Sequence, residues 1–274
     1  MELLDFDAHF NDALTDWVEK NAKRFKRPED MEDAAPDFYL QWLETPADWL
    51  DGKAPGAYFT QYTDGAALVA LLTDYARSET PVPEPLLDRL AELGDEAALL
   101  ALVRDANAPC EARMHGVELL RQLDSRAPMV DYIRWQVERD ADDDLLENAL
   151  ESLRCMGDAV RRPVKIAFTA ADTAGKEALL DVLADFPADD DVFAFALSQF
   201  QTQPEKRALY AGYLGKLDDD RALAPLMDVA EEPNISYIDF IEIRNAIERL
   251  GGEAPIRTFD DDPTYKAVKR MQTR

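Results

Sequence analysis

Four carboxylates in this sequence share a spacing that chemistry can use. Asp88, Glu118, Glu151 and Asp181 each stand five residues before a short acidic turn, and the column then ends at Gly212 and Asn245. Carboxylates repeated on successive helices form a ladder, which attracts a basic segment and speeds its approach. The plain alternative is a solvated face in a chain where 56 of 274 residues are Asp or Glu.

Other candidates carry less. His9 and His115 offer acid or base, and Cys110 and Cys155 offer a nucleophile, but no spacing brings them together. The two cysteines, 45 residues apart and outside any CxxC or Cys/His cluster, make no disulfide framework. Triple aspartates at 142–144, 189–191, 218–220 and 260–262 supply hard oxygens, yet the EF-hand spacing is missing. The first three lie where helices should begin, and there Asp accepts hydrogen bonds from free amides and suits the helix dipole. No Gly-rich phosphate loop, GxSxG or kinase motif occurs. No catalytic residue, metal or cofactor is therefore expected.

The elements that hold these residues follow from an internal repeat. Acidic turns recur after apolar anchors at Tyr62, Leu93, Leu123, Met156, Phe186, Leu217 and Leu250, spaced 31, 30, 33, 30, 31 and 33 residues apart. Three residues before each anchor stand Phe59, Leu90, Leu120, Leu153, Leu183, Leu214 and Ile247, all large and apolar. Six after stand Leu68, Leu99, Met129, Arg162, Val192, Leu223 and Ile256, and ten after stand Leu72, Val103, Ile133, Ile166, Ala196 and Met227. Only Arg162, beside Pro163, breaks the apolar columns. Within each unit the spacings of three and four place the apolar residues on one helical face, so each unit reads as two helices of roughly 10 to 14 residues. A lone hairpin buries too little to offset its ordering entropy, and neighbours must stack.

The first 50 residues ignore the period. Phe6, Phe10, Leu14, Trp17 and Phe25 mark one amphipathic helix; Phe38, Trp42 and Leu43 mark a second after Pro36. Aromatic residues crowd at Trp49 and at Tyr58, Phe59 and Tyr62, the last two falling in columns expected to be buried. The predicted organisation is an N-terminal helical cap at 1–54, a repeat array at 55–257 and a C-terminal tail or cap at 258–274, where the last unit loses its partner helix.

A net charge of −26 excludes bulk nucleic-acid binding, because affinity for phosphates depends on cations that displace counterions. The longest apolar runs, 66–72 and 97–103, are too short to span a bilayer, and the opening residues carry acids where an export signal needs a basic flank. The expectation is a cytoplasmic chain that binds neither nucleic acid nor membrane.

The turn Leu93-Gly-Asp-Glu-Ala-Ala-Leu99, with Leu217-Asp-Asp-Asp-Arg-Ala-Leu223 and Arg249-Leu-Gly-Gly-Glu253, resembles the short HEAT-like repeats of bacteria that also occur in bilin-lyase subunits. The resemblance covers residues 55–257. It implies an all-α, right-handed α–α superhelix of about six to seven helical hairpins. Enzymes built on such repeats set tests. The metal-dependent hydroxylase needs His-Glu pairs, but here His9 precedes Phe10 and His115 precedes Gly116. The glycosylases need a basic channel, against a charge of −26. The expectation is a non-catalytic interaction or scaffolding module that takes a basic protein segment along an acidic concave groove carrying Asp88, Glu118, Glu151 and Asp181. The alternative is a bilin-lyase-like or glycosylase-like enzyme or subunit.

Overall fold

The computed structural model describes residues 3–22, 24–25 and 27–272. Among them the chain is all-α, and an isolated bridge between Ala47 and Lys53 is the sole β pairing. The helices are α1 (Phe6–Asn21), α2 (Pro28–Glu32), α3 (Ala35–Glu44), α4 (Gly65–Arg77), α5 (Glu84–Leu93), α6 (Glu96–Arg104), α7 (Cys110–Gln122) and α8 (Met129–Glu138). They continue as α9 (Asp143–Cys155), α10 (Asp158–Ala170), α11 (Thr173–Leu183), α12 (Asp190–Thr202), α13 (Arg207–Lys216), α14 (Leu223–Ala230), α15 (Tyr237–Arg249) and α16 (Pro263–Gln272). Two compact units divide them: Met1–Asp131 with Ala141–Met156, and Tyr132–Asp140 with Gly157–Arg274.

The column three before each anchor is the spine of both cores. Phe59, Leu90, Leu120, Leu153, Leu183, Leu214 and Ile247 are all buried, each removing apolar surface worth about 1.5–3 kcal/mol. In the first unit α6 packs on α4 and α7, α5 on α7, and α7 on α9. The N-terminal segment is clasped to α4, where the Tyr75 hydroxyl donates to the Leu4 carbonyl at 3.0 Å and accepts from the Leu4 amide at 3.2 Å. In the second unit α10 packs on α11, α11 on α12, α12 on α13, and α13 and α14 on α15.

The anchors have a backbone cause. The residue after the anchor has positive φ at Gly94 (59°), Asp124 (52°), Gly157 (57°), Asp218 (53°) and Gly251 (78°). A residue with positive φ can end a helix by turning its amide back onto the last carbonyls, as the Gly94, Asp124 and Gly251 amides do, and Gly, Asn and Asp adopt positive φ most readily. Thr63 and Pro187, which follow the other two anchors, have no positive φ. Proline's ring forbids it, and a β-branched side chain is strained there.

Four expectations need correction. The later columns fail in the unit anchored at Met156: Arg162 is exposed and Ile166 is 64% exposed, while Val160, Val164 and Phe168 are buried instead. Helix α10 starts two residues after its anchor, where α4 and α6 start three after theirs, and Pro163 lies inside it. The column fails again at Ile256, which is fully exposed. Second, the helix marked by Phe6 stops at Asn21, leaving Phe25 outside it with its ring 5.8 Å from Trp17, and Pro36 lies in the first turn of α3 rather than before it. Third, the first three aspartate triplets do stand at helix starts, with Asp142, Asp189 and Asp219 at the N-cap positions and the residues after them in the first turns, but Asp142 and Asp189 make no side-chain cap. The carboxylates that cap α-helices include Asp5, Asp64, Asp95 and Asp172, with Asp219 on a short 3-10 turn. Asp262 also caps, accepting from the Thr264 and Tyr265 amides and from Tyr237 across the chain. Fourth, Tyr62 is half-buried, not core.

Beyond Leu250 the chain leaves the helix, and the Arg257 guanidinium takes up the carbonyls at the end of α14. It donates to Ala230 at 2.8 Å, Glu232 at 2.5 Å and Pro233 at 3.1 Å. A cation at a helix C-terminus also suits the dipole.

Candidate functional site

Asp88, Glu118 and Glu151 lie on α5, α7 and α9 of the first unit, each two residues before a buried leucine of the spine. Since α5 packs on α7 and α7 on α9, the three carboxylates occupy one register on three consecutive neighbours. All three are exposed. The α7–α9 contact is pinned by Asn148, whose side-chain amide donates to the Met114 carbonyl at 3.1 Å and accepts from Arg121 at 3.3 Å. Asp181 lies on α11 of the second unit, half-buried, and is engaged in an interaction there.

The three differ in how their charge is met. Glu151 accepts from Arg154 at 3.3 Å, a one-turn pair on its own helix. Asp88 and Glu118 have no ion-pair partner among the described residues. Partial burial, and then the Glu84 and Glu92 carboxylates one turn to either side, push the Asp88 carboxyl above its ordinary range. A carboxylate crowded by its own kind gains from an arriving cation.

The second unit carries a carboxylate of the opposite kind. Glu177 on α11 accepts from the buried Tyr210 hydroxyl at 2.5 Å, Lys206 at 2.8 Å and Gln203 at 3.2 Å. Burial raises its carboxyl, but these three donors outweigh burial and hold it below the usual range. Its donors are already in place, so it braces α11 to α13.

The nucleophile and base candidates are apart. His9 stacks on Trp49 with rings 3.9 Å apart and 10° from parallel. His115 is in mid-α7, and Cys155 ends α9, 3.8 Å from Glu151. Cys110 opens α7, its thiol raised by burial and then by Asp142. A thiol held protonated is a poor nucleophile. No histidine pairs with a cysteine, and no group of three His, Cys, Asp or Glu residues could hold a metal, among the described residues.

The aromatic concentration divides by burial: Phe59 is core, while Trp49, Tyr58 and Tyr62 are half-buried. A second group, Phe10, Tyr39 and Trp42, borders a cavity between α1 and α3 that the periodicity could not reveal, since this segment has no repeat register. No helix among the described residues is long and apolar enough to cross a membrane. No protein-family model, curated protein or solved structure matches the chain.

Proposed function

We propose that this protein is a non-catalytic interaction or scaffolding module, a HEAT-like right-handed superhelix that binds a basic segment of a partner protein along its acidic face. The observation that supports this is the register of Asp88, Glu118 and Glu151 on three consecutive packed helices, two of them without a countercharge among the described residues. A lysine- or arginine-rich strand laid across α5, α7 and α9 meets one carboxylate per helix. Each contact is weak because it is exposed and screened by salt, so the face works by summing contacts and raising the rate of encounter.

The test compares an oligolysine peptide on the wild type, on the triple variant Asp88→Asn/Glu118→Gln/Glu151→Gln, and on a control with the same charge change, Asp228→Asn/Glu253→Gln/Asp260→Asn. The expected result is about a tenfold loss of affinity confined to the first triple variant. Equal losses in both would reduce the face to bulk charge and overturn the reading.

A further inference from the structure

The cavity between α1 and α3 has features that the acidic column does not explain. It holds about 400 Å³, near the lower end for small-ligand sites, and is walled by the rings of Phe6, Phe10, Tyr39 and Trp42 with the carboxylates of Asp7 and Glu84 beside them. Phe10 stands nearly edge-on to Tyr39, at 5.0 Å and 78°, and steeply inclined to Trp42, at 5.2 Å and 62°. Tyr39 and Trp42 lie within 20° of parallel. The Tyr39 hydroxyl donates to Glu84 at 2.6 Å, fixing one wall to the carboxylate on α5. Phe10, Tyr39 and Trp42 are only half-buried.

We infer that this cavity is a binding site for an alkylated ammonium group. Aromatic faces are negative and attract a cation without a hydrogen bond. A bare ammonium or guanidinium brings several N–H groups that need acceptors, and of the walls only the Asp7 and Glu84 carboxylates supply them while the four rings do not; methylation removes that demand and adds apolar surface that the rings can cover. Asp7 and Glu84 are exposed and have no ion-pair partner among the described residues, so the site holds negative charge awaiting a cation. Asp88, one turn beyond Glu84, adds to the same potential. The inference rests on the cavity and stands whether or not the column binds a basic segment.

Calorimetric titration of the full chain with choline, and with its neutral isostere 3,3-dimethylbutan-1-ol, separates cation recognition from simple apolar filling. Choline should bind saturably and the isostere at least about tenfold more weakly. Glu84→Gln keeps an acceptor for Tyr39, removes the charge on an exposed side chain, and should weaken choline about fivefold; Trp42→Leu, checked for folding by circular dichroism, should abolish binding. The source is read by adding a short peptide carrying trimethyl-lysine: tighter binding than choline assigns a methylated side chain, and equal or weaker binding a free metabolite, both within the proposal. Equal binding of the isostere, no saturable binding of either cation, or wild-type choline affinity in Glu84→Gln and in folded Trp42→Leu would overturn it.

Discussion

The turns at Gly94 and Gly157 carry nearly the same letters, Leu-Gly-Asp and Met-Gly-Asp, and build different structures. Gly94 sits in the ordinary left-handed well at φ 59°, ψ 32°; Asp95 then caps α6 by accepting from the Ala98 amide. Gly157 has φ 57° but ψ −143°, a region open essentially to glycine alone. That one rotation starts α10 at Asp158, so the aspartate becomes the first helical residue and caps nothing. The helix consequently buries Val160, Val164 and Phe168 and turns Ile166 outward. The two turns therefore keep the period of the array, while the helices that follow them differ in where they start and which face they bury.

The largest effect that tests this contrast is in the core. Leu99 and Ile166 belong to columns that look alike, but Leu99 is 0% exposed and Ile166 is 64% exposed. Leu99→Ala should cost about 2–5 kcal/mol in urea unfolding. Ile166→Ala should change stability by less than about 0.5 kcal/mol; comparable losses would restore Ile166 to the core.

Next in size is the turn itself. Asn tolerates the left-handed well, as Asp124 and Asp218 already do. Gly94→Asn should thus shift stability by no more than about 0.5 kcal/mol, whereas Gly157→Asn should destabilise by about 1–3 kcal/mol. Equal tolerance at both positions would mean that ψ at Gly157 is not held by the fold.

The smallest effects separate the two units by pH, and their signs are opposite. Glu177 titrates below its unfolded value, so it stabilises the fold above the ordinary range near 4.5 and that contribution is lost as pH falls through the folded value. Glu177→Gln should cost about 1–2 kcal/mol at pH 7, and the gap to wild type should close on acidification. Asp88 is raised from 3.8, so its charge opposes folding above the raised value and the penalty is relieved as pH falls through it. Asp88→Asn should stabilise by less than about 0.5 kcal/mol at pH 7 and be neutral at pH 3. Thermal melts across pH 3–7 read both, and parallel curves for the two variants would contradict the assignment.

What the sequence carried and what it withheld follow the same division. The spine from Phe59 to Ile247 was legible because burial needs only an apolar type at a fixed offset, and all seven are buried. The slip at α10 left two traces, Arg162 in an apolar column and the apolar Val160, Val164 and Phe168 at spacings of four, while the turn itself was silent because Gly permits both ψ values. Composition likewise could not say that Asp95 and Asp172 cap while Asp142 and Asp189 do not: the choice depends on where each helix begins. The carboxylate register of Asp88, Glu118 and Glu151 was readable, because it rides on the spine. The aromatic cavity was not, since it gathers α1, α3 and the start of α5 across a segment with no period.

The reading of the acidic face as a docking surface is tested most directly by zero-length carbodiimide coupling of an oligolysine peptide, with the coupled carboxylates mapped by mass spectrometry. Coupling concentrated at Asp88, Glu118 and Glu151 among the 56 acidic residues is the predicted pattern. Coupling spread over exposed carboxylates in proportion to their accessibility would contradict it.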